Sequence, residues 1–385
     1  MNNTNSNKNE IYFIPLGGGQ NVGVSCYFLR LGSANVILDS GMKTQGTLRT
    51  EPDFYSLLTS PFIMSLNQIG QIFISHAHLD HTGSLLKLMK AASHSGVYMT
   101  RPTRLLTEHQ LYDRKNFTDE NQRLAVQYIL QRIVEVNYMQ SITFNDYQVT
   151  FFQAGHIPGA MMTYFTYKGR KILYTGDYSL HHTALTGGCL LPEDLGVDIL
   201  ILCGLHAKHQ YYRRQDDKIY GEIHAVLNEA EYSNFVTCRV SQLSKGVEFV
   251  KILNTLNITH VPVFIDSEIM NIVNLMERLG EPVLTPDNHV VNELEKYSHG
   301  IIITSSSTGM QMTRNNFHHN IDFSLHEDFE EMRGFIRLIN PKLAVIVHCA
   351  QAHSEYDSTI EQVLMKDPEC RTQFIFAEDS VIYTL

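Results

Sequence analysis

Short runs of apolar, β-branched and aromatic residues dominate the first 75 positions, with glycines between them. The runs are IYFIPL at 11–16, VGVSCYFLRL at 22–31, ANVILD at 34–39 and GQIFIS at 70–75. Runs of this length and composition, bounded by glycine, are typical of β-strands. Apolar residues at helical spacing then predict a helix over 83–90. The N-terminal part is therefore predicted to be mainly sheet, with its last strand leading directly into a helix.

The rest of the chain alternates between helical and extended patterns. Two helices are predicted within 104–135, and strands at 148–153, 161–168, 171–175 and 197–203. Helix and strand patterns alternate from 219 to 304, and the tail from 325 predicts helix, strand, helix and two final strands. Two strand-rich blocks thus flank a central segment of alternating type. The fold class is predicted to be α/β, with mixed sheets covered by helices.

Composition narrows the class of protein. The chain has 385 residues, 43% hydrophobic and 18% charged, which is ordinary for a globular protein of two domains. Residues 1–10 are polar and predict a disordered tail without a secretory signal. No run approaches the ~18 apolar residues of a membrane-spanning helix, and six scattered cysteines predict reduced thiols. We therefore expect a cytoplasmic protein with no membrane contact.

Charge bears on the class of partner. The formal net charge of −10 argues against a broadly basic surface for non-specific nucleic-acid binding. It leaves room for a small phosphate-binding cleft in which metal ions supply the positive charge.

The densest chemistry lies in SHAHLDHTG at 75–83, where one strand-to-helix turn carries four metal-seeking side chains in six positions. Imidazole nitrogen and carboxylate oxygen are the ligands expected for Zn²⁺ and similar cations in catalytic sites. Burying this cluster without a cation would carry a large desolvation cost. One catalytic metal takes about three protein ligands, so the four candidates suggest two metals completed by other segments. They are His76, His78, Asp80 and His81.

Other strands end in residues of the same type. His156 follows one strand, Asp177 another and His348 a third, and Asp39 stands at the end of the 34–39 run. A lone histidine at a strand end is more often packed or hydrogen-bonded than metal-bound. Together with the cluster, however, these strand ends predict one shared metal site, with Asp39 orienting a ligand from behind.

These motifs resemble a known family. LGGGQNVG, VILDSG, SHAHLDHTG, AGHIPGA and LYTGDYS are similar to the successive motifs of the metallo-β-lactamase fold, in its nucleic-acid-processing β-CASP branch. FSLHED at 323–328 and NPKLAVIVHC at 340–349 resemble the closing motifs of that branch. The resemblance runs from about residue 11 to 355. It implies a metallo-β-lactamase αββα sandwich built from 11–203 and 321–385, with a β-CASP-like cap domain inserted at 204–320.

The resemblance also implies roles and partners. It implies two Zn²⁺ ions, or Mn²⁺ in their place, and hydrolysis of RNA, because histidine at the position of His348 is typical of the RNA-processing members. The predicted partner is nucleic acid, single-stranded RNA, and a homodimer is also predicted. The resemblance implies that His76, His78 and His156 hold the first zinc, that Asp80, His81 and His348 hold the second, and that Asp177 bridges both. The implied catalytic residues are His326 as the general acid, Asp80, and Asp39, which supports the ligands.

Two departures from the family pattern leave alternatives open. Cys203 stands where the branch usually has an acidic residue, and Ala350 replaces the glutamate that usually follows the late histidine. A weakly active or non-catalytic RNA-binding protein is therefore one alternative. A hydrolase of DNA, a cyclic nucleotide or another small ester is a second, since the fold does not fix the substrate.

Overall fold

The computed structural model describes residues 10–113, 120–208, 217–232, 235–256, 261–305, 317–321, 323–351 and 358–385. Nearly all of the predicted tail, residues 1–9, lies outside the described residues. The described chain forms two compact units. The first contains residues of 10–181, 188–212 and 326–385, and the second contains 182–187 and 213–325. The second unit overlaps most of the predicted cap at 204–320, whose bounds stay a prediction.

The first unit holds most of the strands and seven helices of the α type. Its N-terminal strands are β1 (Ile11–Gly17), β2 (Cys26–Leu31), β3 (Ala34–Leu38), β4 (Lys43–Gln45), β5 (Leu48–Thr50), β6 (Gln71–Phe73), β7 (Gly96–Thr100), β8 (Ile133–Val136), β9 (Ser141–Thr143), β10 (Gln148–Gln153), β11 (Met161–Tyr167), β12 (Arg170–Tyr174) and β13 (Ile199–Cys203). The helices that accompany them are α1 (Phe54–Thr59), α2 (Leu79–Thr82), α3 (Leu85–Ala91), α4 (Arg101–Glu108) and α5 (Glu120–Leu130), with a 3₁₀ turn at Leu66–Gln68 and a π-helical turn at His109–Asp113.

The second unit and the tail complete the chain. The second unit contains the strands β14 (Phe235–Arg239), β15 (Val263–Ile265), β16 (Asn288–Val290), β17 (Gly300–Thr304) and β18 (Phe317–Asn320), the helices α6 (Asp217–Tyr232), α7 (Val247–Thr255) and α8 (Ser267–Arg278), a π-helical turn at Gln242–Gly246 and a 3₁₀ turn at Val291–Lys296. The tail returns to the first unit with α9 (Phe329–Ile339), β19 (Leu343–Val347), α10 (Ile360–Leu364), β20 (Gln373–Phe376) and β21 (Tyr383–Thr384).

Two seven-stranded sheets form the centre of the first unit. Their strand orders are β21-β1-β2-β3-β6-β7-β8 and β20-β19-β13-β12-β11-β10-β9, and both contain parallel and antiparallel pairs. One hydrophobic core joins inward side chains of both sheets, such as Phe13, Phe73, Phe165 and Val345. This core lies between the sheets because alternate residues of each strand point to the same face.

Helices cover the outer faces of this pair of sheets. A second core packs α1, α3 and α5 against the first sheet through residues such as Leu57, Leu88 and Leu130. On the far side, α9 buries one face, and its Phe335 ring lies 4.8 Å from the ring of Tyr178, which follows β12. The layers therefore run helix, sheet, sheet, helix, which confirms the predicted αββα sandwich.

The second unit is built on a five-stranded sheet of order β16-β15-β17-β14-β18, with parallel pairing throughout the described strands. Its central described strands are buried, as in β17, where every residue is buried. Parallel strands need crossover connections, which explains the alternation of helix and strand in this part of the sequence. Among the described helices of the whole chain, none combines the length and apolar character that a membrane span requires.

Candidate metal centre

The predicted ligands emerge from the ends of four strands of the first unit. His76 and His78 lie in the turn after β6, and Asp80 and His81 lie in α2, which follows immediately. The remaining three follow β10, β12 and β19, and are His156, Asp177 and His348. The structure brings all seven together as two groups of potential ligands. Rigid strands on each side hold these turns, so the side chains are fixed in position.

The first group consists of His76, His78, His156 and Asp177, whose potential ligand atoms all lie within 4.8 Å of one another. His78 Nδ1 lies 3.1 Å from His76 Nε2 and 3.2 Å from His156 Nε2. Asp177 Oδ2 lies 3.7 Å from the first of these Nε2 atoms and 3.8 Å from the second. Three imidazole nitrogens and one carboxylate oxygen around one point form the donor set expected of a catalytic zinc site.

The second group consists of Asp80, His81 and His348, with potential ligand atoms again within 4.8 Å. His348 Nε2 lies 3.8 Å from Asp80 Oδ2. His81 Nε2 lies 3.5 Å from Oδ1 of Asp177, the carboxylate whose other oxygen faces the first group. Asp177 therefore stands between the two groups with one oxygen toward each.

The electrostatics of the first group suit a cation. Burial lowers the pKa of His76 well below its usual value and that of His78 to about 3, and neighbouring imidazoles add to the effect. Burial opposes ionisation of Asp177, but the surrounding histidines, His348 and His81 first, hold its pKa well below the usual range. Metal ligation requires neutral imidazoles and an ionised carboxylate, and these pKa shifts favour those forms of His76, His78 and Asp177.

Asp177 also provides a direct test of fit. Its carboxylate is 3% exposed, and its Oδ1 makes no hydrogen bond to any described residue. Buried carboxylate oxygens are normally satisfied, because an unpaired one carries a desolvation cost. A cation between the two groups would satisfy this oxygen. The histidine and aspartate clusters of this fold are therefore suited to binding metal.

Asp39 lies behind the groups and holds them in place. It is fully buried at φ 60°, a left-handed conformation just after β3. Its carboxylate accepts hydrogen bonds from the backbone N–H and hydroxyl of Ser75, each at 2.7 Å, from Nδ1 of His81 at 2.8 Å, and from the hydroxyl of Tyr174. The Nδ1 bond leaves Nε2 of His81 facing Asp177. Asp39 thus orients the potential ligand His81 and is not itself a member of either group.

Tyr174 is a supporting residue that the sequence analysis missed. It is fully buried at the end of β12, three residues before Asp177. Burial first, and then the negative charge of Asp39, raise the pKa of its hydroxyl well above the usual value, so it stays a proton donor. Apart from its place in the LYTGDYS motif, nothing in the sequence distinguishes Tyr174 from an ordinary inward-facing aromatic residue.

Tyr174→Phe is expected to lower the free energy of unfolding by about 1.5–3 kcal/mol, the usual contribution of a hydrogen bond to a charged group. Urea unfolding in the presence of a chelator measures this without any contribution from metal. Tyr178→Phe is the matched control, because its buried hydroxyl makes no hydrogen bond to a described residue. A loss in the control as large as that in Tyr174→Phe would contradict this role.

Glycine at 41 allows the turn to pack against the metal-binding segment. A Cβ at Gly41 would lie 1.7 Å from the carbonyl oxygen of Asp80. The neighbouring backbone is fixed by hydrogen bonds from Gly41 N–H to Ser25 and from Ser40 N–H to His81. No side chain fits at this position.

Gly41→Ala is expected to destabilise the fold by at least about 3 kcal/mol, the upper range for overpacking, because backbone rather than a flexible side chain must move. Gly334→Ala is the control: it lies on the exposed face of α9 with open space around its added methyl group. The control should change stability by about 1 kcal/mol or less, toward greater stability. Urea unfolding of both variants measures the difference, and equal midpoints would refute the packing argument.

His326 lies beside the first group. Its Nδ1 is 3.8 Å from Asp177 Oδ2, and its ring centroid is 4.4 Å from that of His156. The side chain is 23% exposed, in contrast to 1% for His156, so it faces the open side of the site. Burial first, and then the charge of His156, lower the pKa of His326 well below its usual value.

Cys203 and Ala350, the two departures from the family pattern, both lie at or just after the end of a strand. Cys203 is 2% exposed at the end of β13, with its Sγ 4.0 Å from the Tyr174 hydroxyl. Burial, with the nearby carboxylates of Asp177 and Asp39, raises the pKa of this thiol well above its usual value. It is therefore a neutral group in a position where a carboxylate was expected. Ala350 follows β19 and its backbone N–H donates to the carbonyl of Leu205 at 3.1 Å.

Comparison with known proteins agrees with this geometry. Residues 19–198 match the model of the metallo-beta-lactamase superfamily. The chain is 29% identical over 263 residues to Endoribonuclease YSH1 of Candida glabrata, and 29% identical over 269 residues to Cleavage and polyadenylation specificity factor subunit 3 of Dictyostelium discoideum. These alignments cover 64% and 65% of this chain, but only 33% of each relative. The chain thus spans about a third of the length of these two curated relatives.

Two further matches extend over most of both chains. Probable RNase MJ4 of Methanocaldococcus jannaschii is 24% identical over 402 aligned positions, which cover 86% of this chain and 91% of the relative. A crystal structure of a protein of unknown function from Enterococcus faecalis superposes with a TM-score of 0.64 at 14% sequence identity, covering 98% of this chain and 100% of that one. The similarity to the Enterococcus faecalis structure concerns the fold alone.

Proposed function

The chain carries a metallo-β-lactamase superfamily domain of the β-CASP branch, and from this premise we propose that it is a metal-dependent hydrolase that cleaves phosphodiester bonds in RNA. The observation that carries the proposal is the position of Asp177 between two groups of potential ligands. Paired cation sites are used by phosphatases, polymerases and nucleases, among other enzymes.

The proposed metals are two Zn²⁺ ions, with Mn²⁺ as the alternative cation. One would be held by His76, His78 and His156, the other by Asp80, His81 and His348, and both by Asp177. When bound, such cations lower the pKa of a water molecule and neutralise charge on a phosphate. Asp39, supported by Tyr174, would keep His81 in the orientation that ligation requires.

His326 is the proposed general acid, which would give its proton to the departing ribose oxygen. Its greater exposure and its position next to His156 and Asp177 favour contact with a bound phosphodiester. Burial and His156 lower the pKa of His326, whereas Asp177 raises it. The Asp177 carboxylate, 3.8 Å from Nδ1 of His326, is therefore a group that would favour the protonated form of this residue.

RNA is the proposed substrate for two reasons. Two relatives of the chain are named Endoribonuclease YSH1 and Probable RNase MJ4. The histidine at 348 also matches the residue that the β-CASP resemblance associates with RNA-processing members. A preference for single-stranded RNA, a homodimer and a cytoplasmic location stay predictions.

A weakly active or non-catalytic RNA-binding protein is the second candidate. The neutral, buried thiol of Cys203 supports it, because no carboxylate at that position orients the acid histidine. The retained set of seven potential ligands favours the enzyme.

Removing and restoring metal tests the proposed function. The chelated protein is expected to lose activity on a labelled single-stranded RNA and to regain it with two equivalents of Zn²⁺ or Mn²⁺. The same assay on single-stranded DNA, duplex RNA and cyclic nucleotides ranks the substrates, and Asp80→Ala serves as the ligand-deficient comparison. Bound metal with no turnover of any RNA would instead establish the non-catalytic candidate.

A further inference from the structure

Ser25 is a buried hydroxyl that the proposed mechanism does not use. It lies immediately before β2 and is fully inaccessible to solvent. Its Oγ lies 2.7 Å from Nδ1 of His348 and 3.3 Å from Nε2 of His81. Both histidines belong to the second group of potential metal ligands.

The backbone of Ser25 contacts the same group. Its N–H donates to the carbonyl oxygen of Asp80 at 2.8 Å, and its own carbonyl accepts from the N–H of Gly41 at 2.9 Å. Ser25 therefore contacts all three members of the second group: two through its side chain and Asp80 through its main chain. The three members come from two segments far apart in the sequence, 80–81 and 348, and Ser25 contacts both.

Backbone strain next to Ser25 supports a positioning role. Val24 adopts φ 60°, which is a genuine outlier for a β-branched residue. His348 has φ 51°, and its N–H donates to the carbonyl of Gly18 at 2.6 Å. A Cβ at Gly17 would lie 2.6 Å from the carbonyl oxygen of Val24, so the facing strand leaves room for this conformation. Strained residues persist where the surrounding structure over-determines them, and they cluster at functional sites.

The bond to Nδ1 determines which nitrogen of His348 is available. A ring nitrogen that is hydrogen-bonded to the protein leaves the other nitrogen free for a metal. With Nδ1 bound to Ser25, Nε2 faces Asp80 at 3.8 Å. Rotation of the ring would remove this arrangement. Among the described residues, His348 makes no other side-chain hydrogen bond that would prevent the rotation.

We propose that Ser25 is a positioning residue that fixes the ring of His348 with Nε2 toward Asp80, and thereby sets the cation affinity of the second group. The inference rests on the metal binding proposed above and is independent of RNA cleavage. Ser25 acts through His348 and His81, and does not contact the reacting atoms.

The role of Ser25 is tested by measuring the Zn²⁺ affinity of the Ser25→Ala variant in competition with a chromophoric chelator. Wild type is expected to bind two equivalents, and Ser25→Ala to bind one of them about 10- to 100-fold more weakly, the usual effect of losing an orienting partner. The other equivalent should keep its wild-type affinity. Ser25→Thr keeps the hydroxyl and is expected to restore most of the lost affinity.

Ser40→Ala is the matched control. Ser40 is also fully buried beside the site, and its Oγ makes no hydrogen bond to any described residue. It should bind both cations as wild type does. Cobalt(II) provides a second readout, because its visible absorption changes with ligand geometry at the affected site.

Three outcomes would overturn the proposal: wild-type affinities for both equivalents in Ser25→Ala, an equal loss in Ser40→Ala, or a wild type that binds fewer than two cations. If Ser25→Ala does not fold, ¹⁵N-histidine NMR of the zinc-loaded wild type can test the orientation of the His348 ring instead. The expected form of His348 is protonated at Nδ1 and ligated through Nε2, and the reverse form would refute the role. Failure of RNA cleavage with normal cation binding would affect the proposed function alone.

Discussion

Asp177→Asn is expected to lower the rate of RNA cleavage by more than about 100-fold, beyond the effect of residues that only orient ligands. The substitution keeps the shape of the side chain but removes its charge. It also replaces one of two oxygens by an NH₂ group, which would face imidazole nitrogens now 3.5–3.8 Å away. An amide has only one oxygen that can ligate a cation, because its NH₂ group is a hydrogen-bond donor. The substitution should therefore weaken cation binding by both groups of ligands.

Metal analysis separates this explanation from a general loss of structure. Dialysed Asp177→Asn should retain less than the two equivalents of Zn²⁺ expected in wild type, while its circular dichroism spectrum stays unchanged. Asp194→Asn is the control, because Asp194 is an exposed aspartate of the same unit. Full metal content together with wild-type cleavage in Asp177→Asn would remove the basis of the proposed function.

Many elements of the fold were predictable from the sequence because each depends on local pattern, but β7 was not predicted, and β8 lies partly in the range 104–135 where helices were predicted. Runs of apolar, β-branched and aromatic residues bounded by glycine predicted the strands now observed at Ile11–Gly17 and Ala34–Leu38, and the alternation of helix and strand in the second unit was also predicted. Some boundaries were wrong: the strand predicted at 70–75 is confined to Gln71–Phe73, and the strand predicted at 22–31 begins at Cys26. Gly23 and Val24 both adopt positive φ, which is incompatible with an extended strand. Their apolar neighbours gave no sign of that conformation.

The candidate site was predictable to the extent that its chemistry is unusual. Three histidines and an aspartate in six positions have no role in packing, so the turn at 76–81 was identified from residue types alone. The supporting residues could not be found in the same way. Tyr174 and Asp39 are 135 positions apart, and Ser25 and His348 are 323 positions apart. A tyrosine or serine beside an apolar strand is common, and only the folded chain places these hydroxyls against a histidine or carboxylate.

The proposed general acid, His326, was likewise identified from the sequence, whereas its environment is known only from the structure. The resemblance assigned a role to His326, but the sequence around Cys203 suggested that its environment had changed. The structure shows a residue whose charged form is disfavoured by burial and by His156, and favoured by Asp177. The contribution of His326 as an acid is measurable through the choice of leaving group.

His326→Ala is expected to slow RNA cleavage by about 100- to 10,000-fold, the usual contribution of a general acid. Its metal content should equal that of wild type, because the remaining potential ligands are unchanged. His94→Ala, which alters an exposed histidine of the same unit, should cleave RNA at the wild-type rate.

The leaving group distinguishes an acid from a residue that merely shapes the site. Ribose alkoxide is a poor leaving group and needs a proton, whereas nitrophenolate leaves readily without one. His326→Ala should therefore hydrolyse bis(p-nitrophenyl) phosphate at close to the wild-type rate while remaining severely impaired on RNA. Equal impairment on both substrates would assign His326 to substrate positioning, because a lost contact with the phosphate slows both reactions alike. Equal activity of His326→Ala and wild type on RNA would exclude the residue from the reaction.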